Sequence, residues 1–244
     1  MSDKTFAQVQ ILAGFNGADG ATAFTEESAA ARTATFVGNA QLDTAQAKWG
    51  SASALFDGSG DRITFADAAG YTIGTSDFTS ECWVRFAITP TIEIYTFISH
   101  YNPTSNQRAW FLGFNAGNLQ FAHSSLGTAA SVTDIQVAWA PVSGVWYHLA
   151  ASRVGANLYI FIDGELITTN NIGVTSIFNS TSTFAVGSTG GGLNVHNGWI
   201  DDVRFTVGTG RYDADFIPPR GPFDRRKDLG VLNGYRQPVI ALAA

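Results

Sequence analysis

The sequence predicts an all-β fold, a two-sheet antiparallel sandwich, and three observations carry that prediction. Apolar residues alternate with polar ones, or gather in β-branched and aromatic runs, at about a dozen places along the chain. Gly, Asn, Asp and Ser separate those runs, as tight connections require. Helical periodicity is nearly absent, and the one Ala-rich stretch, 26–31, is too short to hold as a helix by itself. So many strands in one chain of this length pack as two layers.

Taken in order, strands are expected at 9–15, 34–37, 53–56 and 62–65. The run 78–88 alternates best: Cys82, Val84, Phe86 and Ile88 share one face, while Trp83 and Arg85 take the other. Strands at 94–100, 109–114 and 119–123 follow, then 146–154 and 158–163. Between the last two, Val154-Gly-Ala-Asn157 reads as a hairpin, and Asp163-Gly164 is a strong two-residue hairpin turn. In 158–162, Leu158, Ile160 and Ile162 face the core. Tyr159 and Phe161 lie opposite, which implies that the second face is covered too. Strands at 184–187 and 199–207 complete the set.

Composition narrows the function classes. The 244 residues carry 14 Lys plus Arg against 20 Asp plus Glu, a net charge of −6. Only 14% are charged and 45% are hydrophobic, which excludes intrinsic disorder. An acidic body cannot neutralise a phosphate backbone broadly, which argues against a general nucleic-acid binder. Cys82 is the sole cysteine, so no intrachain disulfide or cysteine zinc cluster can form. The start lacks a signal-peptide pattern, and no stretch approaches the ~20 apolar residues of a membrane span. Folding in a reducing cytosol is expected.

Several segments in order carry a family resemblance. They are Ile11-Leu-Ala-Gly-Phe-Asn-Gly-Ala-Asp-Gly20, Gly38-Asn-Ala-Gln-Leu42 and Lys48-Trp-Gly-Ser-Ala-Ser-Ala-Leu-Phe-Asp-Gly-Ser-Gly-Asp61. Next come Phe78-Thr-Ser-Glu-Cys-Trp-Val-Arg85, Trp146-Tyr-His-Leu-Ala150 and Leu158-Tyr-Ile-Phe-Ile-Asp-Gly164. Gly198-Trp-Ile-Asp-Asp-Val-Arg-Phe205 and Arg211-Tyr-Asp-Ala-Asp-Phe-Ile-Pro-Pro219 close the series. The chain resembles a laminin-G-like, concanavalin A-like jelly roll of the kind found in bacteriophage virion proteins. The resemblance implies one domain over 1–223, with first and last strands paired and loops clustered at the rims.

Catalytic chemistry is not expected. The resemblance extends to family-16 glucanases, whose strand motif is Glu-x-Asp-x-x-Glu; retaining glycosidases need two carboxyls ~5 Å apart. The five glutamates, at 26, 27, 81, 93 and 165, never recur at that spacing. The four histidines, His100, His123, His148 and His196, show no metal-ligand spacing. Gly58-Ser-Gly60 and Gly190-Gly-Gly192 precede no helix and form no phosphate cradle. The resemblance does imply a structural calcium candidate. Ile200-Asp201-Asp202-Val203-Arg204 matches a last strand whose Asp ligates calcium, and the loops holding Asn16 and Asp57 offer further oxygens. The alternative is that Asp201 accepts backbone N–H bonds or pairs with an arginine. Asp202 is expected to be exposed.

Two rim loops, 100–108 and 187–198, are candidates for sugar binding, through Tyr101, Asn102 and Trp110 in the first and His196 and Asn197 in the second. Charge then divides the chain: residues 1–219 hold nine basic and eighteen acidic groups, while 220–244 hold five and two. A basic extension, 224–244, is therefore expected to dock on a neighbouring subunit through Arg225, Arg226, Leu229, Tyr235, Val239 and Ile240, the alternative being a tail folded back on its own sandwich. The leading expectation is a non-enzymatic virion structural protein (head decoration, fibre or tail) assembled in the host cytoplasm as a homo-oligomer with other virion proteins. The alternatives are a carbohydrate-binding module for host surface glycans and, third, a glycoside hydrolase.

Overall fold

The structure, a computed structural model, describes residues 3–223. The extension 224–244 and its six contact residues Arg225, Arg226, Leu229, Tyr235, Val239 and Ile240 lie outside the described residues. In chain order the strands are β1 (Val9–Ala13), β2 (Ala34–Val37), β3 (Gln41–Asp43), β4 (Ser53–Asp57) and β5 (Arg62–Phe65). They continue as β6 (Phe78–Phe86), β7 (Ile94–Asn102), β8 (Gln107–Asn115), β9 (Asn118–Gly127) and β10 (Val132–Ala138). The last five are β11 (Trp146–Val154), β12 (Asn157–Ile162), β13 (Glu165–Asn171), β14 (Phe184–Val186) and β15 (Asn197–Val207). Among the described residues, helix is confined to 3₁₀ turns of three residues. Among the described residues, no helix is long and apolar enough to cross a membrane.

Two antiparallel sheets form the sandwich. The first runs β13-β12-β11-β6-β15-β4-β3, and the second β10-β9-β8-β7-β14-β5-β2. Strand β15 is long enough to hold two neighbours on one edge: its first half pairs with β4 and its second half with β1. That pairing joins the first strand to the last. The alternation of 78–86 does what its pattern requires, sending Cys82, Val84 and Phe86 into the core. Rings fill the space between the sheets. Trp110 lies within 6.3 Å of Phe78, Phe121, Phe184 and Phe205, and each buried ring of this kind contributes roughly 1.5–3 kcal/mol.

Both expected hairpins form. Val154 pairs with Asn157, and Ile162 with Glu165 across Asp163-Gly164. Asp163 and Gly164 have φ of 50° and 81°, the left-handed pair that a two-residue type I′ turn needs. Three strands escaped the sequence reading. The first, β3, is only three residues long, while β10 and β13 are edge strands with a single buried side chain, Ile135, between them. Strand β6 stops at Phe86, so Ile88 stands 48% exposed in the following loop.

A β-bulge interrupts β15 opposite β6. Asp201 pairs with Trp83 and Arg204 with Glu81, so three steps on one strand match two on the other. Asp202, with φ of 48°, is the extra residue. The bulge puts Asp201 on the outer face with Trp83, although period-2 parity alone would group it with the core residues Val203 and Phe205. It also corrects one expectation, since Asp202 is buried and not exposed.

Candidate functional site

The outer face of the first sheet is divided in two. One half is covered by residues 209–223, and its centre is Glu81. This carboxylate is fully buried on β6. Its Oε1 accepts from Arg204 Nε at 2.8 Å and Nη2 at 2.7 Å, and its Oε2 accepts from the Tyr212 hydroxyl at 2.9 Å. His148 Nε2 lies 3.2 Å from the same oxygen. Burial alone would push the Glu81 carboxyl up; Arg204 and His148 outweigh it and hold it down at about 2. Tyr212 stacks on Phe216 at 3.7 Å, and both rings cover Phe161. This is the cover that Tyr159 and Phe161 implied. Every oxygen of Glu81 is engaged, so the group is a clamp and not a reactive carboxyl.

The other half is open. Cross-strand register aligns Trp146 on β11, Arg85 on β6, Trp199 on β15, Leu55 on β4 and Gln41 on β3 in one row. All five side chains are half-buried, sealed below and accessible above. The Trp199 indole is fixed by an N–H bond to Asp43 Oδ2 at 2.7 Å, and the Arg85 guanidinium lies 5.6 Å from its ring centre. The next row inward holds His148, Trp83 and Asp201. Residues 44–51 fold over that row. Lys48 Nζ stands 3.8 Å above the Trp83 ring, and Trp49 meets Trp83 edge-on at 6.2 Å. Burial lowers the Lys48 ammonium pKa, opposed by Asp163 and Asp201.

Indole faces beside fixed planar donors match a pyranose ring, whose C–H faces stack on aromatics while its hydroxyls take hydrogen bonds. The nearby carboxylates are not placed for proton transfer. Asp43 holds Trp199 and the Ala45 N–H, and Asp201 holds backbone N–H groups. A separate hollow of about 460 Å³ opens at the rim beside Trp139, lined by Pro90, Thr91, Gly117, Ala138 and Ala140. Thr91 is its one hydroxyl, which suits it poorly to sugar.

The structure separates the candidates that the sequence grouped. Trp110 is 0% exposed on β8, a core ring and not a rim platform. His196 is equally buried, edge-on to Phe86 and Phe97, and burial drives its imidazole pKa down to about 4. Tyr101 packs on Phe111 and Ala122. Only Asn102 and Asn197 keep partial exposure. Asn102 Oδ1 caps a 3₁₀ turn through the Thr104 N–H, and Asn197 opens β15 opposite Asp57. The two loops do meet, Gly190 N donating to Tyr101 O at 2.8 Å, but no sugar platform results.

The calcium candidates do not fit a cation. Asp201 Oδ2 accepts from Lys48 N at 2.8 Å and Trp49 N at 3.0 Å, and its Oδ1 accepts from Asp202 N at 2.7 Å. Three N–H dipoles aimed at a carboxylate form an anion's surroundings. Asn16 Oδ1 accepts from Ser51 N at 2.8 Å, and Asp57 lies four residues along β15 from Asp201, against Asn197. Among the described residues, no group of three or more His, Cys, Asp or Glu could hold a metal.

Trp146, Arg85, Trp199, Lys48 and Trp49 were missed as site residues. The period-2 pattern already put Arg85 opposite Val84 and Phe86. Nothing local reveals that β11, β6 and β15 are neighbours in a register that lines up Trp146, Arg85 and Trp199.

Comparison with known proteins agrees with this architecture. No curated protein matches the sequence. Among solved structures, the binding domain of botulinum neurotoxin DC in complex with rat synaptotagmin II superposes with a TM-score of 0.62 at 16% identity, covering 83% of this chain and 48% of that one. The ligand-binding domain of botulinum neurotoxin serotype D, in complex with N-acetylneuraminic acid, gives 0.62 at 14%, over 83% and 48%. The binding domain of Paraclostridial Mosquitocidal Protein 1 gives 0.62 at 16%, over 83% and 49%. At such identities the likeness is one of fold, and the chain spans about half the length of these domains. Residues 57–207, which hold eleven of the fifteen strands whole and the Trp146–Arg85–Trp199 row, match the Laminin_G_3 model, and on that match the chain belongs to the concanavalin A-like lectin/glucanases superfamily.

Proposed function

We propose that the chain is a carbohydrate-binding module that engages a glycan on the open half of its first sheet. The observation that carries this reading is the Trp146–Arg85–Trp199 row, two indoles around a guanidinium with Leu55 and Gln41 continuing it. Family membership supports it, as do the sugar-bound neighbours: N-acetylneuraminic acid on one, and two ganglioside molecules named for the type C neurotoxin. The synaptotagmin complex adds a protein receptor as a second kind of partner for domains of this shape. Binding proceeds without cleavage in this reading. Glu81 is sealed by Arg204 and Tyr212, and Glu93 sits on an exposed loop with its Oε2 on the Thr91 and Ile92 N–H groups.

The virion role drawn from the sequence is a proposal about where the module works, and a particle that displays it is compatible with glycan binding. No structural neighbour named here is a phage protein, so the glycan reading leads. A glycan array followed by titration calorimetry tests it. Trp199→Ala and Trp146→Ala should each weaken the best glycan about tenfold or more, the order of one lost aromatic contact of ~1.5 kcal/mol. A silent array at high protein concentration, or binding indifferent to both substitutions, overturns the reading.

A further inference from the structure

Arg85 differs from every other arginine on the strands. Arg62, Arg108, Arg153 and Arg204 each donate at least one side-chain hydrogen bond, and Arg204 adds two carboxylate partners, Glu81 and Asp3. Among the described residues Arg85 donates none, has no carboxylate within 4 Å, and its Nε is buried without a partner. A guanidinium carries five donors in a fixed fork that matches a carboxylate. Here that fork lies 5.6 Å from the Trp199 ring, with half-buried Trp146 as the cross-strand neighbour on the other side of Arg85. Gly144 borders it: a methyl group there would come within 3.6 Å of Nη2, and φ of 79° keeps the position suited to glycine. One side of the guanidinium is thus left uncrowded. Lys48 stands one row further in, over Trp83, about 7 Å along the strand by β geometry.

We infer that the open face selects acidic sugars, with Arg85 taking a sugar carboxylate in a bidentate pair while Trp146 and Trp199 hold the ring. The inference rests on the glycan-binding reading and names its ligand class. It explains why a cation is kept bare on a domain whose residues 1–219 are acidic overall, eighteen groups against nine. The acids nearest the row do not neutralise it, since Asp43 is bonded to the Trp199 indole and Asp201 to backbone N–H groups. Two aromatic walls around a fork donor exclude water and favour a planar anion over a hydroxyl.

The test uses matched oligosaccharides on the full-length protein: one ending in glucuronic acid, the same chain ending in glucose, and the glucose form carrying a sulfate. Calorimetry should show the carboxylated sugar bound at least tenfold tighter than its neutral twin. Arg85→Gln should bring the two together by weakening the acid far more than the neutral sugar. Arg85→Lys should restore part of the preference, because the charge returns without the fork. Equal binding of acid and neutral sugars by the unaltered protein overturns the inference and leaves the glycan reading intact. A preference for the sulfate over the carboxylate also overturns it. Binding of none of the three, with a silent array, overturns both.

Discussion

Two histidines show how position decides what a residue can do. His196 sits among phenyl rings with Nε2 3.2 Å from the Arg85 carbonyl oxygen, and burial holds its pKa near 4. In the unfolded chain a histidine titrates near 6.5, so that chain binds more protons between the two values. Stability from His196 is therefore complete above about pH 6.5 and is lost as pH falls toward 4. Chemical denaturation at pH 7 and pH 4.5 should show the wild type losing on the order of 2–3 kcal/mol more than His196→Gln. Glu81 acts in the next window down. Its folded pKa of about 2 lies below the usual 4.5, so its contribution is present above 4.5 and lost as pH drops toward 2. His148, by contrast, faces Glu81 and packs on Phe216 and Phe223, which ties it to the covering segment. At Trp110 the expectation is plain: truncation to Ala empties the largest buried side chain and should cost about 3–5 kcal/mol in a urea titration.

At the scale of elements, segment 209–223 acts as a strap over half of the first sheet, fastened at Glu81, at Asp202 through the Phe223 N–H, and at Asp3 through Arg211. Glu81→Gln leaves Arg204 as an under-compensated buried charge and should lower stability by about 3–5 kcal/mol. The double variant Glu81→Leu with Arg204→Met should recover much of that loss, since buried ion pairs gain little over apolar packing. A double variant as unstable as the single one would mean that the strap depends on the charges themselves. The hairpin turn is coupled to the strap as well. A Cβ on Gly164 would reach 2.0 Å from the Phe216 oxygen, at φ of 81°, so Gly164→Ala should loosen strap and turn together, read as faster amide exchange in both. Much of this was legible in the sequence. The strands with clear alternation and the Asp163-Gly164 turn followed from local pattern. The strap did not, because it depends on which sheet face the chain returns to. The bulge did not either, because one extra residue leaves no mark on composition.

For the whole molecule, pairing of β1 with β15 ties the first and last described strands into one sheet, 194 residues apart at Ile11 and Phe205. Contacts of that sequence separation place folding in the slow, millisecond-to-second regime of β sandwiches. A core shared by both sheets predicts one cooperative unfolding step. Tryptophan fluorescence and far-ultraviolet circular dichroism should give coincident midpoints, and two separate midpoints would mean that the sheets part independently. The candidate site belongs to this scale too. Four of the five residues of its row, on β6, β15, β4 and β3, come from separate stretches of sequence, and the fifth arrives with β11. That is why rim loops, which local reading favours, were named in its place.

The bulge at Asp202 sets a reading frame in space for the last strand. Ahead of it, Trp199 and Asp201 point to the open half of the outer face; beyond it, Arg204 and Thr206 point to the strap, while Ile200, Val203 and Phe205 all stay inside. Were Asp202 drawn into a regular ladder as an ordinary strand residue, inside and outside would exchange over the rest of β15. The Arg204 guanidinium would be driven among phenyl rings, and Val203 and Phe205 would be pushed out beneath Tyr212. Two surfaces with different tasks can share one strand because one residue too many lies between them.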